Sequence, residues 1–226
     1  MLSSPLHPRA PMVACALAAA LLLPLAAAPP ALAAGADARA AARAQFLQAG
    51  SSRDAGTIAD AAERLAALAA AAPADPVLRA YAGAATARRA TTTWLPWKKL
   101  AHAEDGLAQI DQALARLLPA HEAARPGGVP AALEVRFTAA STFVALPAMF
   151  NRGERGQRLL AQVLASPAFE DSAAAFKARV WRKAGAEAAQ AGRSDEARQW
   201  LQRAASAEAP QAAAAAQAAS NALPTP

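Results

Sequence analysis

Apolar residues recur along this chain at three- and four-residue steps, the spacing that gathers them on one side of a helix. Proline, glycine and short polar clusters cut that pattern into segments. The spacing predicts a first helix over 36–49, with Phe46 and Leu47 its only sizeable apolar groups, broken by Gly50, Ser51 and Ser52. Asp54 is placed to cap a second helix to about Ala72, with Ile58, Leu65 and Leu68 as its buried stripe and Pro73 as its end. Asp75 and Pro76 restart the chain, a capping acid followed by a proline in the first turn, and that helix carries Tyr81 and Gly83 to about Ala90. Thr91, Thr92 and Thr93 weaken it, and Trp94-Leu95-Pro96-Trp97 ends it.

The next helix, 98–118, is expected to bury Leu100, Leu107, Ile110, Ala113, Leu114 and Leu117, and Pro119 closes it. A link through Pro126, Gly127, Gly128 and Pro130 leads to a helix over 131–146 with Leu133, Phe137, Ala140 and Val144 on its period. Within it, Ser141 to Val144 taken alone would also suit a short strand. After Pro147 and a turn at Asn151, Arg152 and Gly153, a helix over 154–165 presents Leu159, Leu160, Val163 and Leu164. Pro167 closes it, and Phe169 and Phe176 open the last long helix.

Residues 181–210 hold two short amphipathic helices around a turn at Gly192 and Arg193. The first packs through Trp181, Ala184, Gly185 and Ala188, the second through Ala197, Leu201 and Ala204. The small residues let two backbones approach while Trp181 and Leu201 fill the space beside them. This unit resembles a tetratricopeptide repeat, with Trp181, Gly185, Ala197 and Ala204 on signature positions and Gly192 on the turn. Leu201 stands where an aromatic is usual and Ala188 where a tyrosine is.

Pro73, Pro119, Pro167 and Pro210 then mark off three complete helical pairs at intervals of roughly 43 to 48 residues, after an incomplete pair at the N-terminus. The expected fold is all-α, a short right-handed α-solenoid of antiparallel helix pairs over 34–210. Residues 211–226 read as a frayed helix and a disordered Ala-rich tail.

Composition supports the helical reading: about a third of the chain is alanine, the best helix former and the one with least side chain to bury. The few large apolar groups must therefore carry most of the packing. Residues 1–33 have the form of a signal peptide, with Arg9 before an apolar run from Met12 to Ala28 and Ala31-Leu32-Ala33 as the cleavage site. Cleavage after Ala33 removes Cys15, the only cysteine, and takes the formal net charge from +6 to about +5. The expected location is the periplasm, or the inner membrane where the segment is retained as an anchor. Outside the cytoplasm nucleic acid is not the expected partner.

The chain has no phosphate loop, nucleophile elbow or His-Glu-x-x-His motif, so no catalytic residue, metal or cofactor is expected. Gly153 to Gly156 reads as a helical turn, His102 with Asp105 as a solvated helix face, and Glu104, Asp105 and Asp111 as the wet side of an amphipathic helix. Two candidate surfaces remain. Trp94, Trp97, Lys98 and Lys99 either seal the core beneath a lengthened loop, which is the expectation, or form an aromatic and cationic contact surface. Arg179, Arg182 and Lys183, extended by Arg152, form the second.

The tetratricopeptide resemblance implies that the helix bearing Arg179, Arg182 and Lys183 lines a concave side that binds a protein or peptide. In members that clamp a C-terminal carboxylate, Arg179 and Arg182 would fall on clamp positions, but Ala186 stands where those members carry asparagine. The expected function is a non-enzymatic exported interaction module. One alternative is a small-ligand carrier or enzyme in which Arg136, Asn151, Arg152, His102 and Asp105 converge. The other is a membrane-tethered assembly factor that keeps residues 1–33.

Overall fold

The structure, a computed structural model, describes residues 30–123 and 128–221, with side-chain surroundings over 38–123 and 128–210. The leader expected over 1–33 lies outside the described residues except for its last four, which belong to the first turn of the first helix. The described residues form nine α-helices and no strand: α1 (Pro30–Ser51), α2 (Ala55–Ala71), α3 (Pro76–Arg88), α4 (Pro96–Ala115), α5 (Ala131–Ala145), α6 (Gly153–Leu164), α7 (Pro167–Glu170), α8 (Ala174–Gln190) and α9 (Ser194–Asn221).

Local chemistry sets several of the helix starts. The Asp54 carboxylate accepts the Thr57 N–H at 2.6 Å and opens α2. Asp75 accepts the Val77 N–H at 2.9 Å with Pro76 in the first turn of α3, and it also pairs with Arg39 of α1, so one carboxylate caps a helix and ties it to another. Gly192, at φ +74°, takes the left-handed turn between α8 and α9 that side chains rarely adopt.

Several expected boundaries move. Helix α1 begins at Pro30, ahead of residue 36, and α4 begins at Pro96, so Pro96 and Trp97 start a helix instead of ending one. A proline lacks only an N–H that the first turn leaves unpaired anyway. The Ser141–Val144 stretch lies inside α5, which rules out the strand. The long helix expected from Phe169 is split: the Ser172 hydroxyl donates to the Ala168 carbonyl at 2.8 Å and the chain restarts at Ala174. That break lets Phe169 and Phe176 both reach the core, where their rings meet edge to face at 6.2 Å. Pro210 does not close α9, which continues to Asn221 through the start of the expected tail; residues 222–226 lie outside the described residues. Proline removes one hydrogen bond from the ladder, and the alanine on either side has the propensity to carry the helix past it.

Helices α1 and α2, α3 and α4, α5 and α6, and α8 and α9 pack as consecutive hairpins. Each hairpin meets the next: α1 and α2 rest on α3, α3 and α4 on α5, and α6 on α8. The N-terminal pair is complete, with Ala42 and Ala49 buried and Phe46 stacked on Tyr81 at 4.6 Å. Where α3 crosses α4, Gly83 faces Gly106 so closely that a Cβ on Gly83 would stand 2.7 Å from the Gly106 carbonyl oxygen. Leu201, though half exposed, covers Gly185 in the same manner at the α8–α9 crossing. Large fully buried groups are few (Tyr81, Phe143, Phe169 and Phe176 foremost), and alanine fills the space between them.

Candidate functional site

The first helices of the four hairpins share one polar network. Glu134 on α5 is 1% exposed. It accepts the Tyr81 hydroxyl of α3 at 2.6 Å, the Arg43 guanidinium of α1 at 2.5 Å and the Arg179 guanidinium of α8 at 3.2 Å. Burial, reinforced by the neighbouring carboxylate, pushes the Tyr81 phenol well above its ordinary value, so it stays a donor through the neutral range. The sequence signal for this network is Glu134 itself, an acid one turn before Phe137 and Thr138 on a buried stripe. The apolar period alone singles out neither Glu134 nor Arg43.

The basic surface expected on α8 is engaged within the chain. Arg179 lies over the rings of Phe137 and Phe176, at 5.6 and 5.3 Å, while bonded to Glu134. Arg182 pairs with Glu208 of α9, and Lys183 with Glu187 one turn on at 3.0 Å. Arg152 and Arg155 share Asp111 of α4, at 2.9 and 2.5 Å, and both stand over Phe143. Apart from Lys183, whose partner is on its own helix, these residues tie one helix to another, and their charge is answered where they sit. Of the five polar groups of the small-ligand reading, Arg136 takes Glu122 at 3.0 Å, Arg152 takes Asp111, and Asn151 holds a left-handed turn at φ 52°. Among the described residues no group of three or more acidic, histidine or cysteine side chains is placed to hold a metal ion.

The Trp94–Lys99 stretch departs most from expectation. Trp94 is 82% exposed and Trp97 66%, so the indoles do not seal the core. Leu100, expected to be buried, is 42% exposed. Every residue from Pro96 to Ala101 is exposed, because α4 begins clear of its neighbours and enters the core only at Ala103 and Gly106. The first turn of α4 has no side-chain cap and no acid. Lys98 and Lys99 are exposed and take no part in the ion pairs of the described residues. Partial burial, helped by Arg89 and Lys98 and opposed by Asp105, holds the nearby His102 imidazole below its ordinary value. The projection therefore carries indoles, an aliphatic side chain and unanswered positive charge.

A cleft of about 200 Å³ opens between α1, α3 and α5, walled by Phe46, Ala84, Arg88, Ser141 and Leu146. Arg88 donates to the Ser52 carbonyl at 2.9 Å, while its Nε–H and the Ser141 hydroxyl have no partner.

Compared with protein-family models, with curated proteins and with solved structures, the chain matches none.

Proposed function

We propose that this protein is an exported, non-enzymatic interaction module of tetratricopeptide-like helical-repeat architecture, and that it docks through the projecting start of α4. The packing of each hairpin on the next supports the solenoid reading, although Arg43 of the first hairpin also reaches Glu134 of the third. The small-residue crossing at Gly185, the left-handed Gly192 and the buried Ala197 and Ala204 support the repeat reading of the last hairpin.

The observation that carries the docking surface is the exposure of Trp94 and Trp97. A chain that fills its core largely with alanine leaves two of its four tryptophans in solvent. An exposed indole beside a free cation forfeits burial that the fold could use, and contact with a partner recovers it. The basic residues of α8 support a groove less well, because their charge is spent on internal pairs.

The test is crosslinking in cells from a photoreactive residue at position 97, with controls at Arg182 and at the exposed Gln199. A partner captured from position 97 alone supports the reading; capture from Arg182 alone moves the site to α8. Equal background from all three positions removes a protein as what docks there. N-terminal sequencing of the exported protein tests the leader, since a start at Ala34 excludes the tethered alternative. A second reading, a small-ligand carrier, draws on the cleft between α1, α3 and α5, where Arg88 and Ser141 keep unused hydrogen-bonding capacity.

A further inference from the structure

We infer that the partner of the α4 projection is the surface of an anionic phospholipid bilayer. This rests on the docking reading above and names what is docked. From Arg88 to Ala103 the chain contains Arg88, Arg89, Lys98 and Lys99 and no acidic residue. Trp97 and Leu100 stand three residues apart on α4, so an indole and aliphatic carbon share one side of the projecting turn, with Lys98 and Lys99 beside them and Trp94 exposed just ahead of the helix.

Composition separates lipid from protein as the occupant. Protein interfaces concentrate tryptophan but are depleted in lysine. A headgroup layer takes both, the indole at the boundary between polar and apolar depth and the ammonium among the phosphates, with the lysine stem lying along apolar surface. The shape agrees, because the projection is exposed on every residue from Pro96 to Ala101 and so offers a ridge that suits a deformable surface. No helix of the described residues is long and apolar enough to cross a membrane.

Tryptophan emission from the full chain tests this, because the tryptophans are at 94, 97, 181 and 200 and the leader contributes none. The chain is titrated with vesicles of phosphatidylglycerol and phosphatidylcholine, and separately with phosphatidylcholine alone. The expected result is a blue shift with quenching by brominated lipid on the anionic vesicles, weak or absent on the neutral ones and weakened by salt. The W94A/W97A double variant should abolish the shift, and K98Q/K99Q should lower apparent affinity by about fivefold per lysine removed. All four positions are exposed, so both variants should keep the parent's circular dichroism and unfolding midpoint.

No shift on anionic vesicles, an equal shift on both compositions, or a shift that survives W94A/W97A would each overturn the inference. If the vesicles fail while a crosslinker at position 97 captures a protein, the docking reading stands and the lipid assignment falls. If both fail, both fall.

Discussion

Glu134→Gln should be among the most damaging single substitutions that leave side-chain shape unchanged. The carboxylate is buried and serves three donors on three other helices, two of them guanidinium groups. Glutamine keeps one acceptor oxygen for Tyr81 but turns an amide N–H₂ toward an arginine and leaves two cations without a counter-charge. Removing one partner of a buried ion pair costs about 3–5 kcal/mol. The Arg43 side chain is 36% exposed and can recover water, which discounts its share, whereas Arg179 at 16% cannot. The expected loss is about 3 kcal/mol, and with a urea slope of ~2 kcal/mol/M the unfolding midpoint should fall by ~1.5 M. The combined variant Glu134→Met, Arg43→Met, Arg179→Met and Tyr81→Phe removes every member together and should regain most of that loss, because no buried polar group is left unpaired. A Glu134→Gln midpoint within ~0.3 M of the parent would contradict this account, as would a combined variant no better than the single one.

The same geometry predicts opposite outcomes for two glycines. Gly83→Ala drives a Cβ to 2.7 Å from the Gly106 carbonyl oxygen and should lower the melting temperature, at a cost of about 2 kcal/mol or more despite better helix propensity. Gly50→Ala, in the last turn of α1 with nothing within 4 Å, should raise stability by about 0.5–1 kcal/mol. Tyr81 is the only tyrosine, so phenolate absorbance reports it alone. Its folded-state value is raised, so its contribution is intact below about pH 10 and fades as pH rises through that point, by about 1.4 kcal/mol per unit. Phenolate should therefore appear with unfolding, and a phenolate signal that precedes unfolding contradicts the buried network. Arg182→Ala should change stability by less than about 0.5 kcal/mol in a denaturant titration, its pair with Glu208 being half exposed, whereas Arg179→Ala should cost several times that.

Interactions between residues close in the chain are the ones legible in the sequence. Asp54 with Thr57, Asp75 with Pro76 and Val77, and Gly192 at its turn act across two or three residues, so their helix ends can be read directly. The all-helical class follows from alanine and from apolar steps of three and four, and the last hairpin from small residues opposite large ones. Alanine also limits the reading. Where many faces of a helix are alanine, the apolar period hardly distinguishes the buried side from the wet one, and Leu100 falls on an apparent core position although it is exposed.

Which charges meet is a matter of tertiary packing. Glu134 lies 53 residues from Tyr81, 91 from Arg43 and 45 from Arg179, and nothing local links them. Packing also sets the fate of Trp94 and Trp97. Their apolar bulk favours burial, but α4 begins clear of its neighbours and meets the core only at Ala103 and Gly106, which leaves both indoles in solvent. The capped starts of α2 and α3 and the turn of the last hairpin are written into the chain itself, because caps, prolines and glycines act over a few residues. The surface left for a partner emerges only once the helices have packed and spent their other charges on one another.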